Sequence, residues 1–525
     1  MDIHAIPLVP AYLGLYLGVC GLFFLVIYRL YFHPLSKYPG PLLNRLCGVP
    51  TLHHAGKGDL HIHLYKLHHR YGKYVRYSPN KLSINDVEAL PDIYGFNKNT
   101  SKPEEFYSAF RVNKHAVNTF NTSSKEGHRR KRRIMAKAFS VASLQSYEPF
   151  ISTQVTHFIR KLQHQSDAGQ KSFNMAYEFN CLMLDIMGGL CFGESFGFVD
   201  GKGDKIMTQA HKRTFRIYMT GHEPLLKQLY LDRLLFPQLM VASTALGDYA
   251  KFNTYRRIDK YNANIIDKEK GYEDIMAHLL EAGDEETGSK YSRDELLGEG
   301  ILMMMAGSDT SSSALTATVF YLARHPRAMK RLRAEITSTF QRASDIEPRV
   351  TENCRYLRAC IDEAMRLSPP APTNIPRVVG EEGIVIDQEH FQPGVYVGVP
   401  NFTLFRNENC FKDPHNYNPD RWIVDTQTGV TEDDVKRAQA AFHPFSLGPR
   451  HCIGRHLAIK EVSVILANLF FVFDIEAVGK SGELATSALP IPKDSVVMEQ
   501  HDVYTSVEDE VLIRLHVRRE ELGSN

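Results

Sequence analysis

The 525-residue chain is poor in cysteine. It has eight, Cys20, Cys47, Cys181, Cys191, Cys354, Cys360, Cys410 and Cys452, with no C-x-x-C spacing among them. That scarcity excludes a disulfide-built scaffold and a structural zinc site, and it fits a reducing compartment. Net charge is nearly absent too, at +2. No global field therefore points to nucleic acid or to an acidic partner, and any such preference must be local. No internal repeat or low-complexity tract is present. With 43% apolar residues, the chain is not of the disordered class. Its length suggests roughly three domains, yet no linker divides it after residue 60.

Charge is wholly missing from Ile6 to Tyr28, a run that includes "LGLYLGVCGLFFLVIY". About 20 apolar residues cross a bilayer. A cleaved signal peptide would want a basic start and a shorter run. Here Asp2 precedes the run, and Arg29 and Lys37 follow it. The expectation is a retained anchor over residues 1–32, with the amino terminus away from the cytosol and the body inside it. A proline-rich hinge and lead-in, 33–59, opens with "HPLSKYPGP". Pro34, Pro39, Gly40 and Pro41 cannot continue a helix, so a stiff, extended spacer is expected there. Residues 60–525 then form a single domain.

Within that domain the patterning is mainly α with a smaller β-rich portion. "HIHLYKLHHRYG" reads as a short helix, and "KYVRYSP" and "KLSIND" read as strands. Ser292 and Glu295 form a capping box for a helix of roughly 30 residues, about 45 Å long, that Pro326 ends. "YLRACIDEAMRL" is a second helix, stopped at Ser368-Pro369-Pro370. "GIVIDQEHFQPGVYVGVP" alternates like strands, "GRHLAIKEVSVILANLFFVF" reads as a buried helix, and "EVLIRLHVRR" as a strand.

One cysteine is framed unusually, in "FSLGPRHCIG", residues 445–454. A soft thiolate is a metal ligand. To ligate a large flat cofactor it must sit on a tight loop that nothing bulky crowds. Gly448 and Gly454 allow close backbone approach. Arg450 can hold a carboxylate through two hydrogen bonds, and Phe445 can shield the sulfur. A helix starting near Gly454 points its positive end at Cys452. Together these meet the needs of a haem-thiolate site. A lone cysteine before a helix is usually a small buried hydrophobe. Five fixed positions in ten residues reverse that expectation.

The F-x-x-G-x-R-x-C-x-G pattern resembles the cysteine loop of the cytochrome P-450 family, and three other segments agree. "AGSDTSSS" places Ala306, Gly307, Asp309 and Thr310 mid-helix, where polar groups weaken a helix. It matches the family's A-G-x-D-T-T/S pattern. Gly307 is expected to leave room beside a ligand, and the resemblance implies that Asp309 and Thr310 relay protons in oxygen chemistry. Glu363 and Arg366 match E-x-x-R. Arg421, in "NPDRW", supplies the third member of a buried structural ion cluster, with Asp420 and Trp422 departing from the commoner P-E-R-F. In "HRRKRRIMAKAFS", His128 stands where the family has Trp and Arg132 fills the arginine position. These two and Arg377 are expected to bind haem propionates.

The resemblance spans nearly the whole chain. It implies a cytochrome P-450 fold behind an N-terminal transmembrane helix, and haem held by the Cys452 thiolate. Electrons would come from NADPH through a flavin-bearing reductase. The reaction implied is insertion of one oxygen atom from O2 into a lipophilic substrate, by a monomer in the endoplasmic reticulum membrane with its catalytic domain on the cytosolic side. "YRLYFHPLSKYPGP" and "DIMGGLCFGESFG" are similar to fungal enzymes of the benzoate 4-hydroxylase and secondary-metabolite types. An oxygen-independent haem-thiolate isomerase or dehydratase is the alternative, or a non-catalytic haem sensor. The resemblance implies substrate contacts near 105–122, 210–245, the helix before Ala306, 372–375 and 503–507, with Phe106, Tyr107, Phe110 and Phe120 either lining a pocket or serving as core. The cation run Arg129–Arg133 is expected to dock the reductase's acidic face, the alternatives being a plain solvated face or a nucleic-acid patch. Asn99, Asn121 and Asn401 begin N-x-S/T sequons that a cytosolic body would leave unglycosylated.

Overall fold

The computed structural model describes residues 8–202, 204–263, 265, 271–484, 489–508 and 510–518. Among them, one helix is long and apolar enough to cross a membrane. It runs over Tyr12–Phe32, 21 residues of mean hydropathy 2.0 with none of the apolar window buried against the body. Large apolar side chains such as Leu15, Phe23 and Phe24 project outward, which water would penalise and lipid would not.

After the anchor the chain does not run as an extended spacer. Residues 33–38 are turns, Leu35 and Tyr38 are buried, and the Pro39 carbonyl accepts the Arg76 N–H at 2.8 Å. The fully buried Arg76 guanidinium reaches back to the Arg29 carbonyl at 2.7 Å. An added Cβ at Gly40 would collide with the Arg76 carbonyl oxygen, so only glycine allows this contact. Prolines stop the helix here, but buried side chains and backbone hydrogen bonds fold the segment onto the sheet.

That sheet has five strands in the order Tyr74–Ser78, Lys81–Ile84, Tyr396–Gly398, Arg377–Val379 and Thr100–Ser101. Its one parallel pair joins Lys81–Ile84 to Tyr396–Gly398. A three-stranded sheet sets Leu512–Val517 between Ser172–Asn174 and Phe473–Ala477. The rest is helical, around one long helix, Arg293–Leu322, opened by the expected Ser292/Glu295 capping box. It ends at Leu322, and Pro326 instead opens the next helix, Pro326–Thr339, where its missing N–H costs nothing.

Met175–Phe192, nearly all buried, lies along the central helix, as do Arg355–Leu367, Pro237–Asn262 and Arg455–Val472. Burial of each large apolar side chain contributes about 1.5–3 kcal/mol. The packing admits little space. A Cβ on Gly307 would lie 2.6 Å from Met187 Sδ. The glycine therefore serves close contact between these two helices.

Candidate active site

The cysteine loop is held from several sides. Gly448 adopts φ +68, and a Cβ there would strike the Tyr94 carbonyl oxygen. The Cys452 N–H donates to the Phe445 carbonyl at 2.9 Å, closing the turn. Gly454 is the N-cap of Arg455–Val472. Cys452 exposes surface, yet protein encloses it closely enough that burial pushes its thiol up. The Gly454 N–H, Arg132 and Arg455 pull the other way. All three favour thiolate, the form that ligates metal.

Behind the loop lies the ion cluster. Glu363 and Arg366 are fully buried, and Arg366 donates Nε and Nη2 to the two Glu363 oxygens at 2.9 and 2.8 Å. Arg421 Nε reaches both oxygens at 3.0 Å. The Asn418 N–H adds a bond at 2.9 Å, and Trp422 Nε1 another at 3.0 Å. Trp422, a departure from the commoner Phe, thus supplies a donor that Phe lacks. Burial alone would push the Glu363 carboxyl up, but Arg366 and Arg421 outweigh it and hold it down to about 2.

The central helix carries a stripe of accessible residues along one face. Ala306 is exposed and Leu302 and Thr310 are half-buried, at a four-residue spacing that shares one face. Thr310 Oγ1 donates to the Ala306 carbonyl at 2.7 Å. Ser308, Thr316 and Thr318 bond their own i−4 carbonyls in the same way, each at 2.7 Å. The neighbouring Asp309 carboxyl is buried and pushed up to about 7, first by burial and then by Glu508.

Cations gather at the other side of the loop. Arg450 does not meet a protein carboxylate. It donates to the Thr122 carbonyl at 2.8 Å and the Ser124 carbonyl at 3.2 Å. Arg377, buried, bonds Tyr107 Oη at 3.4 Å. His128 is buried and pushed down to about 3 by burial and by Arg450, Lys102, Arg132 and Arg377. Lys102, which the sequence reading missed, is buried beneath the Tyr107 and Phe120 rings, 4.3 and 3.8 Å from their centroids. Burial, Arg377 and Arg450 hold its amine well below the ordinary range. Among the described residues none of Lys102, His128, Arg377 and Arg450 forms an ion pair. Like charge gathered on Lys102, Arg377 and Arg450 without a counter-charge is costly, and with His128 as a neutral donor beside them this set fits a group that carries carboxylates. Arg132 lies nearer the sulfur, donating to the His451 carbonyl and ring nitrogen, each at 2.8 Å.

The expected docking run is largely neutralised within the molecule. Arg130 and Lys131 pair with Glu295, and Arg133 pairs with Asp284 at 2.7 Å and Glu286 at 2.9 Å. Acidic residues 150 positions away in sequence took charges that looked free. The aromatics named from sequence do cluster, with Tyr504 among them: Phe110–Tyr504 centroids are 5.1 Å apart and Tyr107–Phe120 are 5.4 Å apart. Phe106 and Tyr107 are core, whereas Phe110, Phe120 and Tyr504 are half-buried.

A cysteine on a glycine-framed loop at a helix N-terminus, beside buried cations without counter-charges, defines a haem-thiolate protein. Residues 38–501 match the family model described as Cytochrome P450. The chain is 33% identical over 499 residues to cytochrome P450 monooxygenase AFT11-1 of Alternaria alternata, covering 93% of this chain and 94% of that one. It is 32% identical over 495 residues to cytochrome P450 monooxygenase atnE of Emericella nidulans, covering 89% and 93%. The fold matches the crystal structure of the cytochrome P450DA heme domain with a TM-score of 0.72 at 18% identity, over 90% of this chain and 96% of that one. This chain belongs to the cytochrome P450 family. Its cofactor is haem with an axial cysteine thiolate, and it is an oxygen-incorporating oxidoreductase.

Proposed function

We propose that this protein inserts one oxygen atom of O2 into a lipophilic organic molecule of fungal secondary metabolism. The body is held on the cytosolic face of the endoplasmic reticulum by its N-terminal helix and is reduced by an NADPH-dependent flavoprotein. The fungal monooxygenase names of its relatives support this reading. The observation that carries it is the Asp309–Thr310 pair, an acid that keeps its proton near neutrality beside a hydroxyl on the accessible stripe. Isomerisation without oxygen has no use for such a pair.

When bound, haem supplies the activation of dioxygen and the oxygen insertion. Cys452 would hold its iron. Lys102, His128, Arg377 and Arg450 would hold its propionates, with Arg132 completing the set from the sulfur side. Thr310 Oγ1 keeps its proton on the Ala306 carbonyl until a better acceptor is near, and Asp309 is the neighbouring reserve. Phe110, Phe120 and Tyr504 exclude water from the substrate side. Gly448 and Gly454 keep backbone out of the sulfur's way, and the Glu363–Arg366–Arg421 cluster fixes the wall behind it.

The test is metabolite profiling of microsomes bearing this protein and a reductase, supplied with NADPH and labelled O2. Products carrying one labelled oxygen are expected. Isomers formed without oxygen uptake, from protein with an intact thiolate-type carbon monoxide spectrum, would select the isomerase reading instead.

A further inference from the structure

A further group of cations gathers where the helix Asp204–His222 packs on the turn Ser108–Phe110. It consists of Arg111, Arg213, Arg216 and Lys227. Arg216 pairs with Asp232, and Arg111 pairs with Glu104 at 2.6 Å. Among the described residues Arg213 and Lys227 pair with no carboxylate. Arg213 is only 7% exposed, and its guanidinium makes a single hydrogen bond there, from Nη2 to the Phe110 carbonyl at 3.3 Å. Lys227 Nζ reaches the Ser108 carbonyl at 3.5 Å. The Nε atoms of Arg111 and Arg216 are buried without a hydrogen-bond partner. Partial enclosure by protein, then Arg216, and then Arg111 and Arg213, hold the Lys227 amine below its ordinary range, with Asp232 pulling the other way. The propionate set is elsewhere: Lys102 bonds the Phe120 carbonyl at 2.6 Å, and Arg450 the Thr122 carbonyl.

Holding one carbonyl needs a single neutral donor, and a buried guanidinium without a counter-charge is costlier than that task requires. It is also the side chain best shaped for a carboxylate, which it grips through two parallel hydrogen bonds. The Phe110 that Arg213 meets packs its ring on Phe120 and Tyr504, at centroid distances of 5.2 and 5.1 Å. Charge and apolar surface therefore adjoin. We infer that the substrate is a lipophilic organic acid, and that Arg213 is the specificity-determining residue that binds its carboxylate while Phe110, Phe120 and Tyr504 contact its apolar body. The inference rests on the monooxygenase reading above and names the class of molecule oxidised. An acid supplies the anion that Arg213 lacks. The amide or ester of the same body leaves the guanidinium buried and unpaired, which selects against it.

The test titrates the full-length holoprotein, in phosphatidylcholine nanodiscs, with imidazolyl-terminated alkanoic acids of graded chain length and with their primary amides. The imidazole ligates haem iron and shifts the Soret band whatever the far end carries, so every pair yields two affinities. At the chain length that spans from iron to Arg213, the acid should bind at least about tenfold more tightly than the amide. Arg213→Gln should abolish that preference, and Arg213→Lys should keep part of it. Arg213→Gln should also melt no lower than the wild type, because it removes a charge that has no partner. An acid-to-amide ratio near one at every length, or one that Arg213→Gln leaves unchanged, overturns the proposal. A lower melting temperature beside that result marks a purely structural arginine, and weaker binding to phosphatidylserine vesicles beside it assigns the cations to lipid head groups. Absent NADPH-driven oxygen uptake, with the acid preference and the thiolate-type spectrum intact, overturns the monooxygenase reading and leaves the acid site standing.

Discussion

Replacing Glu363 by Gln keeps the side-chain shape and removes the carboxylate that both Arg366 and Arg421 pair with in the buried cluster. The carboxyl is fully buried and held down from its ordinary 4.5 to about 2. At about 1.4 kcal/mol per pH unit, that depression corresponds to roughly 3 kcal/mol. Breaking a buried pair by removing one partner costs about 3–5 kcal/mol, so both routes agree. The sign is fixed by the direction of the shift. A depressed carboxyl stabilises the fold fully above its ordinary value, and that stability is lost as pH falls toward about 2. The chain's single tryptophan, Trp422, donates to Glu363 at 3.0 Å, so its fluorescence reports unfolding of the cluster itself. Urea titration at pH 7 should show Glu363→Gln unfolding at a clearly lower midpoint than the wild type. The gap should narrow as pH drops below about 4. A variant as stable as the wild type at pH 7, or a gap that ignores pH, would refute the ion-cluster account.

Gly448→Ala must leave φ +68 and clear the Tyr94 carbonyl, so the loop should shift and the thiolate-type carbon monoxide band should be lost, read by reduced difference spectroscopy. Lys102→Met preserves length but removes a buried charge near Arg377 and Arg450. The variant should fold at least as stably as the wild type before haem is added and should hold haem less tightly, read by apoprotein melting and haem-transfer kinetics. Arg133→Glu opposes Asp284 and Glu286. Its main effect should be a modest loss of stability, read as a lower melting temperature, with little change in the salt dependence of reductase-driven reduction; a flattened salt dependence at unchanged stability would restore the docking role.

Much of this was legible in local sequence. The cysteine loop, the Glu363–Arg366–Arg421 set and the Ser292/Glu295 box are patterns whose partners sit at fixed short spacings or in recognisable turns. What escaped depended on distant chain. Nothing around Lys102 marks it, because its neighbours Arg377 and Arg450 are brought in by the sheet and the loop. Prolines 34, 39 and 41 correctly ended the helix but said nothing of Leu35 and Tyr38 burying themselves. Gly307 matched a motif, but the sequence could not show that Met187 would pack against it. The sequons illustrate the same limit. Asn121 and Asn401 are buried, and Asn401 and Asn99 donate their amides to the Ala371 and Gly383 carbonyls. A glycan on either buried asparagine would have to break this packing, which the sequon alone does not show.

The cations of this protein divide into two populations that the sequence presents alike. Arg130, Lys131 and Arg133 fall in one helical run and look like a docking stripe, yet each is matched by a carboxylate of the folded chain. Arg377 and Arg450, which motifs marked, and Lys102, which nothing marked, are scattered over three hundred residues, yet among the described residues they converge without a counter-charge, with neutral His128 beside them. Paired surface charges contribute little to stability and little to an external field. Converged buried charges destabilise the chain until an anion joins them. A dianionic cofactor is therefore favoured at the second population for the same reason that a partner's acidic face gains little at the first. Within the run, exposed Arg129 is the cation left open to an acidic face.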